Sequence, residues 1–166
     1  MNKKGFTLME LLVVVIIIAG LSAVVYPGYK SAIERARASE AVNMIAAIQA
    51  AQQKHFVNYE TYGTTFQDIN DFKPAMPENA NAFDPSQNHF STEYFKYTLD
   101  GENKQVSAQR VDSNGTVINK GYELVGAYND NFIKCNVLNG SEDGEKVCSS
   151  LTDRAKNTDD DYYEIH

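Results

Sequence analysis

Apolar residues run almost unbroken from Phe6 to Tyr26, and the only charged side chain between Phe6 and Lys30 is Glu10. At about 1.5 Å per residue those 21 residues make a helix of roughly 31 Å, enough to cross the hydrocarbon core of a bilayer. Pro27 lacks a backbone donor and its ring crowds the carbonyl one turn back, so a kink is expected there. Gly20 and Gly28 add further weak points. From Lys30 to about Tyr59 the pattern turns amphipathic. Ala41, Met44, Ile45, Ile48 and Ala51 recur at three- and four-residue spacing, one apolar stripe on which a sheet can pack. Lys30 with Glu34, and Arg37 with Glu40, are spaced to pair along other faces.

Order breaks down between Gly63 and Thr92, where Pro74, Pro77 and Pro85 sit among Asn, Asp and Ser; a loop of about thirty residues is predicted. Within it Phe66, Ile69 and Phe72 are spaced for one helical turn pinned to the core. Strict alternation then appears from Tyr94 to Leu99, with Phe95, Tyr97 and Leu99 on one face. Asp100-Gly101 turns the chain into Lys104–Val111, and Asn114-Gly115 is a strong hairpin signal. Shorter strands are predicted near Thr116–Asn119, Tyr122–Tyr128 and Phe132–Cys135. The pattern gives an α+β fold, a long N-terminal helix packed on a three- to four-stranded antiparallel sheet.

Composition narrows the chemistry. The formal net charge is −7, and without Lys3 and Lys4 there remain 13 basic residues against 22 acidic ones. Such a surface repels phosphate backbones, so general nucleic-acid binding is not expected. Ten tyrosines, eight phenylalanines and no tryptophan suit a sheet with aromatic cross-strand pairs. Lys3 and Lys4 ahead of the apolar run keep the N-terminus on the cytoplasmic side of a membrane, leaving everything after residue 30 outside. A secretory signal peptide carries its small-residue cleavage site after the apolar run. Here the best scissile bond, Gly5–Phe6, precedes it, so the helix survives processing.

Gly5-Phe6-Thr7-Leu8-Met9-Glu10 followed by an aliphatic run resembles the processing and methylation motif of prepilins, shared by type IV pilins and the pseudopilins of type II secretion. The resemblance is close from Lys3 to about Tyr29, Pro27 included, and beyond residue 30 it is architectural only. It implies a prepilin peptidase that cuts between Gly5 and Phe6 and methylates the new Phe6 amine, a pilus assembly platform, and helices packed together as a filament core. The layout would then be a leader over 1–5, a membrane and polymerisation segment over 6–29, an amphipathic half-helix over 30–60 and a globular head over 61–166. In related filaments the helix can lose order just before the proline, here Gly20 to Pro27. One departure is that the family's usual glycine falls at Ala19, which would displace or reduce that melting; Gly20 serves close helix packing equally well.

Glu10 is the residue most in need of a task. A carboxylate near the centre of a span costs roughly 2.5–3.5 kcal/mol. In pilins the matching glutamate is understood to pair with the N-terminal amine of a neighbouring subunit, which would set the axial stagger. The alternative is a carboxylate near the membrane surface that reaches back to water.

Cys135 and Cys148 are the only cysteines, and an even count on the non-cytoplasmic side predicts a disulfide. Such a bridge resembles the disulfide-bounded region of many pilins, and it favours a pilus subunit over a pseudopilin. Asn139 to Glu145 alternates oxygen-bearing residues like a fragment of a calcium loop, but Ser150 stands where the loop's last glutamate belongs, so a polar turn is the expectation. Asp159-Asp160-Asp161 with Glu164 reads as a solvated, mobile tail. No nucleophile–base grouping, phosphate-cradling loop or metal-ligand pattern appears, and neither enzyme activity, metal nor cofactor is expected. Three functions follow in order: a type IV pilus subunit exposed at the cell surface in adhesion, motility or DNA uptake; a type II secretion pseudopilin; and a non-polymerising anchored domain.

Overall fold

The computed structural model describes residues 6–69, 72, 83–118, 121–130, 132–152, 155–157 and 162–165. The chain divides into two compact units, Met1–Glu34 and Arg35–His166, and the helix α1 (Leu8–Tyr59) contributes to both. α1 is bent where Leu8–Ala23 meets Gly28–Tyr59, and Pro27 falls in that break. Ser22 Oγ turns back on the Ile18 carbonyl at 2.8 Å, an inward bond that also favours bending. The stretch from Gly20 to Pro27 is helical here.

In the second unit the α+β expectation holds, with more strands than the pattern predicted. Among the described residues six strands lie in simple chain order, each antiparallel to the next: β1 (His89–Ser91), β2 (Phe95–Asp100), β3 (Gln105–Arg110), β4 (Tyr122–Ala127), β5 (Ile133–Val137) and β6 (Tyr162–Ile165). Of the expected strand near Thr116–Asn119 the described residues form only a bridge, Val111 opposite Val117, because Asp112 gathers the loop onto itself; Asn119 lies outside the described residues. Its Oδ1 accepts from the backbone of Asn114 and Thr116 at 2.8 and 2.9 Å. Of the two hairpin residues only Gly115 adopts positive φ. β1 lies inside the predicted loop, and β6 takes Glu164 out of the predicted mobile tail; Asp159, Asp160 and Asp161 lie outside the described residues.

The inward face of the sheet carries Phe95, Tyr97, Leu99, Val106, Ala108, Leu124, Ile133 and Cys135, all buried with Ala38, Ala41, Ile45 and Ile48 of α1. Met44 and Ala51 of the predicted stripe are only partly buried, and the face rotates to include Gln49 and Gln52 instead. These amides pair with backbone, so their burial is compensated. Gln49 donates to the Ala127 carbonyl at 2.7 Å, while Gln52 both donates to Gly63 O and accepts from Gly63 N, at 2.9 and 2.8 Å. Gly126 in β4 leaves room for this approach, since a Cβ there would overlap Ile45 and lie 2.9 Å from the Gln49 amide.

Phe66, Ile69 and Phe72 form the expected turn and are buried. Phe66 and Phe90 meet edge to face at 5.0 Å, and Phe90 stacks on Tyr97 at 4.9 Å, so the turn is pinned through β1 to the sheet. Asp68 closes the start of this turn. Burial alone would raise its pKa, but bonds from Thr65 and Thr64 outweigh that and hold it below the ordinary value.

Of the residues read as a polar turn, Asn139 and Gly140 form one, closed by Ser141 N donating to Leu138 O, whereas Glu142 to Glu145 open a second helix, α2 (Glu142–Ser150). Ser141 caps it by accepting from Gly144 N at 3.3 Å, and Glu142, Asp143 and Glu145 suit the positive end of its dipole. α2 sits directly on the turn before β4. A Cβ on Gly144 would overlap the Gly121 carbonyl, and one on Gly121, at φ +84°, would overlap Ser141. Gly144→Ala is therefore expected to cost about 2 kcal/mol despite alanine's better helix propensity, because the obstacle is backbone. Chemical denaturation of the variant would show it.

On the opposite sheet face Glu123 is half-buried beside Gln109, whose amide donates to it at 2.8 Å. Burial pushes its carboxyl pKa up, against the smaller lowering by Gln109. A raised folded-state pKa gives stability that is present at acid pH and lost as pH rises through the shifted value. Glu123→Gln should thus melt higher than the parent at pH 7 and equal to it well below the carboxylate range.

Candidate assembly segment

Among its described residues the first unit is helical and buries no apolar side chain. Phe6 and Leu8 are 84% and 88% exposed, and every described side chain from Leu11 to Ile18 is exposed as well. Burying one such aliphatic side chain is worth about 1.5–3 kcal/mol. The segment as a whole therefore outweighs the ~5–15 kcal/mol that holds a whole domain together, and water is not its resting medium. No single helix among the described residues is long and apolar enough to cross a membrane, whereas Leu8–Ala23 and Gly28–Tyr59 taken together across their bend meet that requirement by length and composition.

Glu10 lies in the first turn of α1 and is held by a residue that the sequence reading passed over. Thr7 precedes the helix and shares a reciprocal cap with Glu10. The carboxylate Oε2 accepts from Thr7 N at 2.9 Å and from Thr7 Oγ1 at 2.8 Å, and Thr7 Oγ1 accepts from Glu10 N at 3.3 Å. This is a capping box, and its signature, threonine followed three residues later by glutamate at the head of an apolar run, stands in the sequence. The second carboxylate oxygen, Oε1, meets no partner among the described residues and is open to a donor from outside the chain. Gly5 lies outside the described residues, and Pro27 falls at the helix break. At the far end of the apolar run Lys30 lies over the Tyr26 ring, 4.6 Å from its centroid.

The two cysteines meet in the second unit. Cys135 of β5 and Cys148 of α2 are disulfide-bonded across 13 residues, with Cα atoms 5.5 Å apart and both side chains buried. Glu145, one helical turn before Cys148, accepts from Tyr163 OH at 2.6 Å and pairs with Lys156 at 3.0 Å. His55 and His89 are occupied locally, by the Thr61 carbonyl and the Asn88 side chain. Among the described residues no group of three or more His, Cys, Asp or Glu stands close enough to hold a metal ion.

Residues 1–26 match the prokaryotic N-terminal methylation motif. The chain is 37% identical over 57 residues to the type IV major pilin protein PilE1 of Neisseria gonorrhoeae, covering 34% of each. It is 37% identical over 54 residues to the fimbrial protein EcpC of Eikenella corrodens, covering 32% of this chain and 35% of that one. It is 30% identical over 81 residues to the type II secretion system core protein G of Klebsiella michiganensis, covering 48% of this chain and 57% of that one. The matched stretch spans about a third of the length of the pilins. Over its N-terminal part the chain is similar to type IV pilins; it carries the methylation motif there and has relatives among both pilins and type II secretion proteins.

Proposed function

We propose that this chain is a structural subunit of a type IV pilus. A prepilin peptidase would remove the leader 1–5 at Gly5–Phe6 and methylate Phe6, and the segment 6–29 would hold the subunit in the inner membrane until the assembly platform adds it to a filament. The amphipathic half-helix 30–60 would carry the head 61–166 to the cell surface. Polymerisation is a transfer of the apolar helix from lipid to a bundle of its own kind. Glu10 supplies the register, its free oxygen accepting from the methylated amine of a neighbouring subunit while Thr7 keeps the other oxygen in place. The observation carrying this reading is the methylation motif on a helix whose N-terminal segment, residues 6–23, exposes its apolar side chains all round. Structural rather than enzymatic work is consistent with relatives named as pilins and fimbrial proteins.

The larger share of this chain matched by the secretion core protein favours a second reading, a pseudopilin of a type II secretion system. The disulfide inclines the choice toward the pilus. Purified surface fibres should contain this chain beginning at N-methylated Phe6, by electron microscopy and mass spectrometry of the N-terminal peptide. A chain that starts at Met1 and is recovered only as monomer would sink both readings; a processed chain with no surface fibres, in cells that fail to secrete without it, would select the second.

A further inference from the structure

The geometry points to a self-modifying bond at Asn139–Gly140, where we infer that the protein deamidates spontaneously in its folded state. Two Asn-Gly pairs occur among the described residues, Asn114-Gly115 and Asn139-Gly140, and the fold treats them oppositely. The reaction needs the backbone nitrogen of the following residue to attack the asparagine side-chain carbonyl carbon. Glycine is the least hindered follower, and asparagine is among the thermolabile residues.

At the first pair that nitrogen is engaged. Gly115 N donates to the Asp112 carbonyl at 3.0 Å, while Asp112 Oδ1 holds the amides on either side, Asn114 and Thr116. Attack there must first break the loop's own bonding. At the second pair Asn139 and Gly140 occupy the two central positions of a tight turn, both with positive φ, 53° and 62°. The turn is closed by Ser141 N donating to Leu138 O at 3.2 Å. Gly140 N has no hydrogen-bond partner among the described residues. Both residues are exposed, and no neighbouring atom lies within 4 Å of where a Gly140 side chain would stand. The nucleophile is not tied up in a hydrogen bond, and nothing beside the turn hinders the rotation of the peptide that attack requires.

The chemistry balances with water alone. Once the Gly140 amide gives up its proton to hydroxide, its nitrogen bonds to Asn139 Cγ and the side-chain nitrogen departs as ammonia, closing a five-membered imide. Water then opens the imide at either carbonyl, giving aspartate or, with the chain rerouted through the side chain, isoaspartate. No oxidant or reductant is involved. The products matter because of where they fall. The turn ends on Ser141, the cap of α2, which packs against Gly121, and α2 carries Cys148 of the disulfide. Aspartate adds a negative charge just outside the positive end of that helix. Isoaspartate inserts a backbone atom into the turn and displaces the cap.

The test uses the full-length wild-type protein, incubated folded at pH 7 and pH 9 and followed by peptide mass spectrometry that separates aspartate from isoaspartate. Acid forms at residue 139 should accumulate about fivefold faster than at 114, the rate equivalent of the ~1 kcal/mol needed to release one amide hydrogen bond. Both rates should rise with pH and converge in denaturant, where the two turns no longer exist. Equal rates at the two sites in the folded protein, faster reaction at 114, or no acid form at 139 would each overturn the inference.

Discussion

Replacing Cys135 and Cys148 together by alanine should lower the stability of the head by about 3 kcal/mol and its melting temperature by roughly 10 °C. The figure comes from the loop the bridge closes, 13 residues along the chain, whose freedom in the unfolded state the bond removes. Both side chains are wholly buried, which is why alanine is the cleaner replacement: serine would add a hydroxyl in need of a partner. The loss should be uneven. α2 would retain its glycine contact with the turn before β4, the burial of Val147 and the bonds of Glu145 to Lys156 and Tyr163, but lose its covalent tie to β5. Amides of α2 should therefore lose hydrogen-exchange protection first, while those of β2 and β3, paired along their full lengths, keep it. Reductant should convert the parent into a protein that melts like the variant. A parent whose melting ignores reductant, or a variant that melts unchanged, would mean that the bridge contributes no stability.

Elements with long, regular patterns were legible in the sequence, and those defined by single contacts were not. α1 and β2 announce themselves because many residues repeat one period: an unbroken apolar run, and inward Phe95, Tyr97 and Leu99. β1 has one inward residue, Phe90, so no alternation exists to detect. β6 buries Tyr162 and Tyr163 in succession, which breaks the period of two, and it follows three aspartates that mimic a solvated tail. α2 is acidic, has a glycine in its interior and buries only Gly144, Val147 and Cys148. Its helical character rests on the Ser141 cap, a local signal three residues from its donor, and on the close fit of Gly144 on Gly121, which is a tertiary fact. The assembly segment was visible through its composition, and Glu10 through the rarity of a charge there. Thr7 is legible only through its spacing to Glu10, which spells a capping box; the resemblance gives Glu10 a partner outside the chain and so says nothing of this local one.

On the proposed reading Glu10 both caps α1 and pairs with a neighbouring subunit, so its replacement should have the largest effect on assembly. On the proposed reading, Glu10→Ala inserts and is processed but adds poorly to filaments. A terminal ammonium left unpaired in apolar surroundings forfeits about 3 kcal/mol, on the order of a hundredfold in the equilibrium for adding one subunit. Alanine, however, removes the cap as well as the charge, since both Thr7 bonds end on the same carboxylate oxygen. Glu10→Gln separates the two. Glutamine at the third helical position can still accept from Thr7 and complete a capping box, but it carries no charge to neutralise an ammonium. If charge pairing drives assembly, the glutamine variant should be processed normally yet yield as few fibres as the alanine variant. Wild-type fibre yield from Glu10→Gln would reduce the carboxylate to a helix cap, and wild-type yield from Glu10→Ala would remove it from assembly altogether. Thr7→Val supplies the complementary case, keeping the charge while losing the hydroxyl. Its fibre yield should fall less than that of either glutamate variant, because a cap is worth only about 1 kcal/mol against about 3 for the unpaired charge.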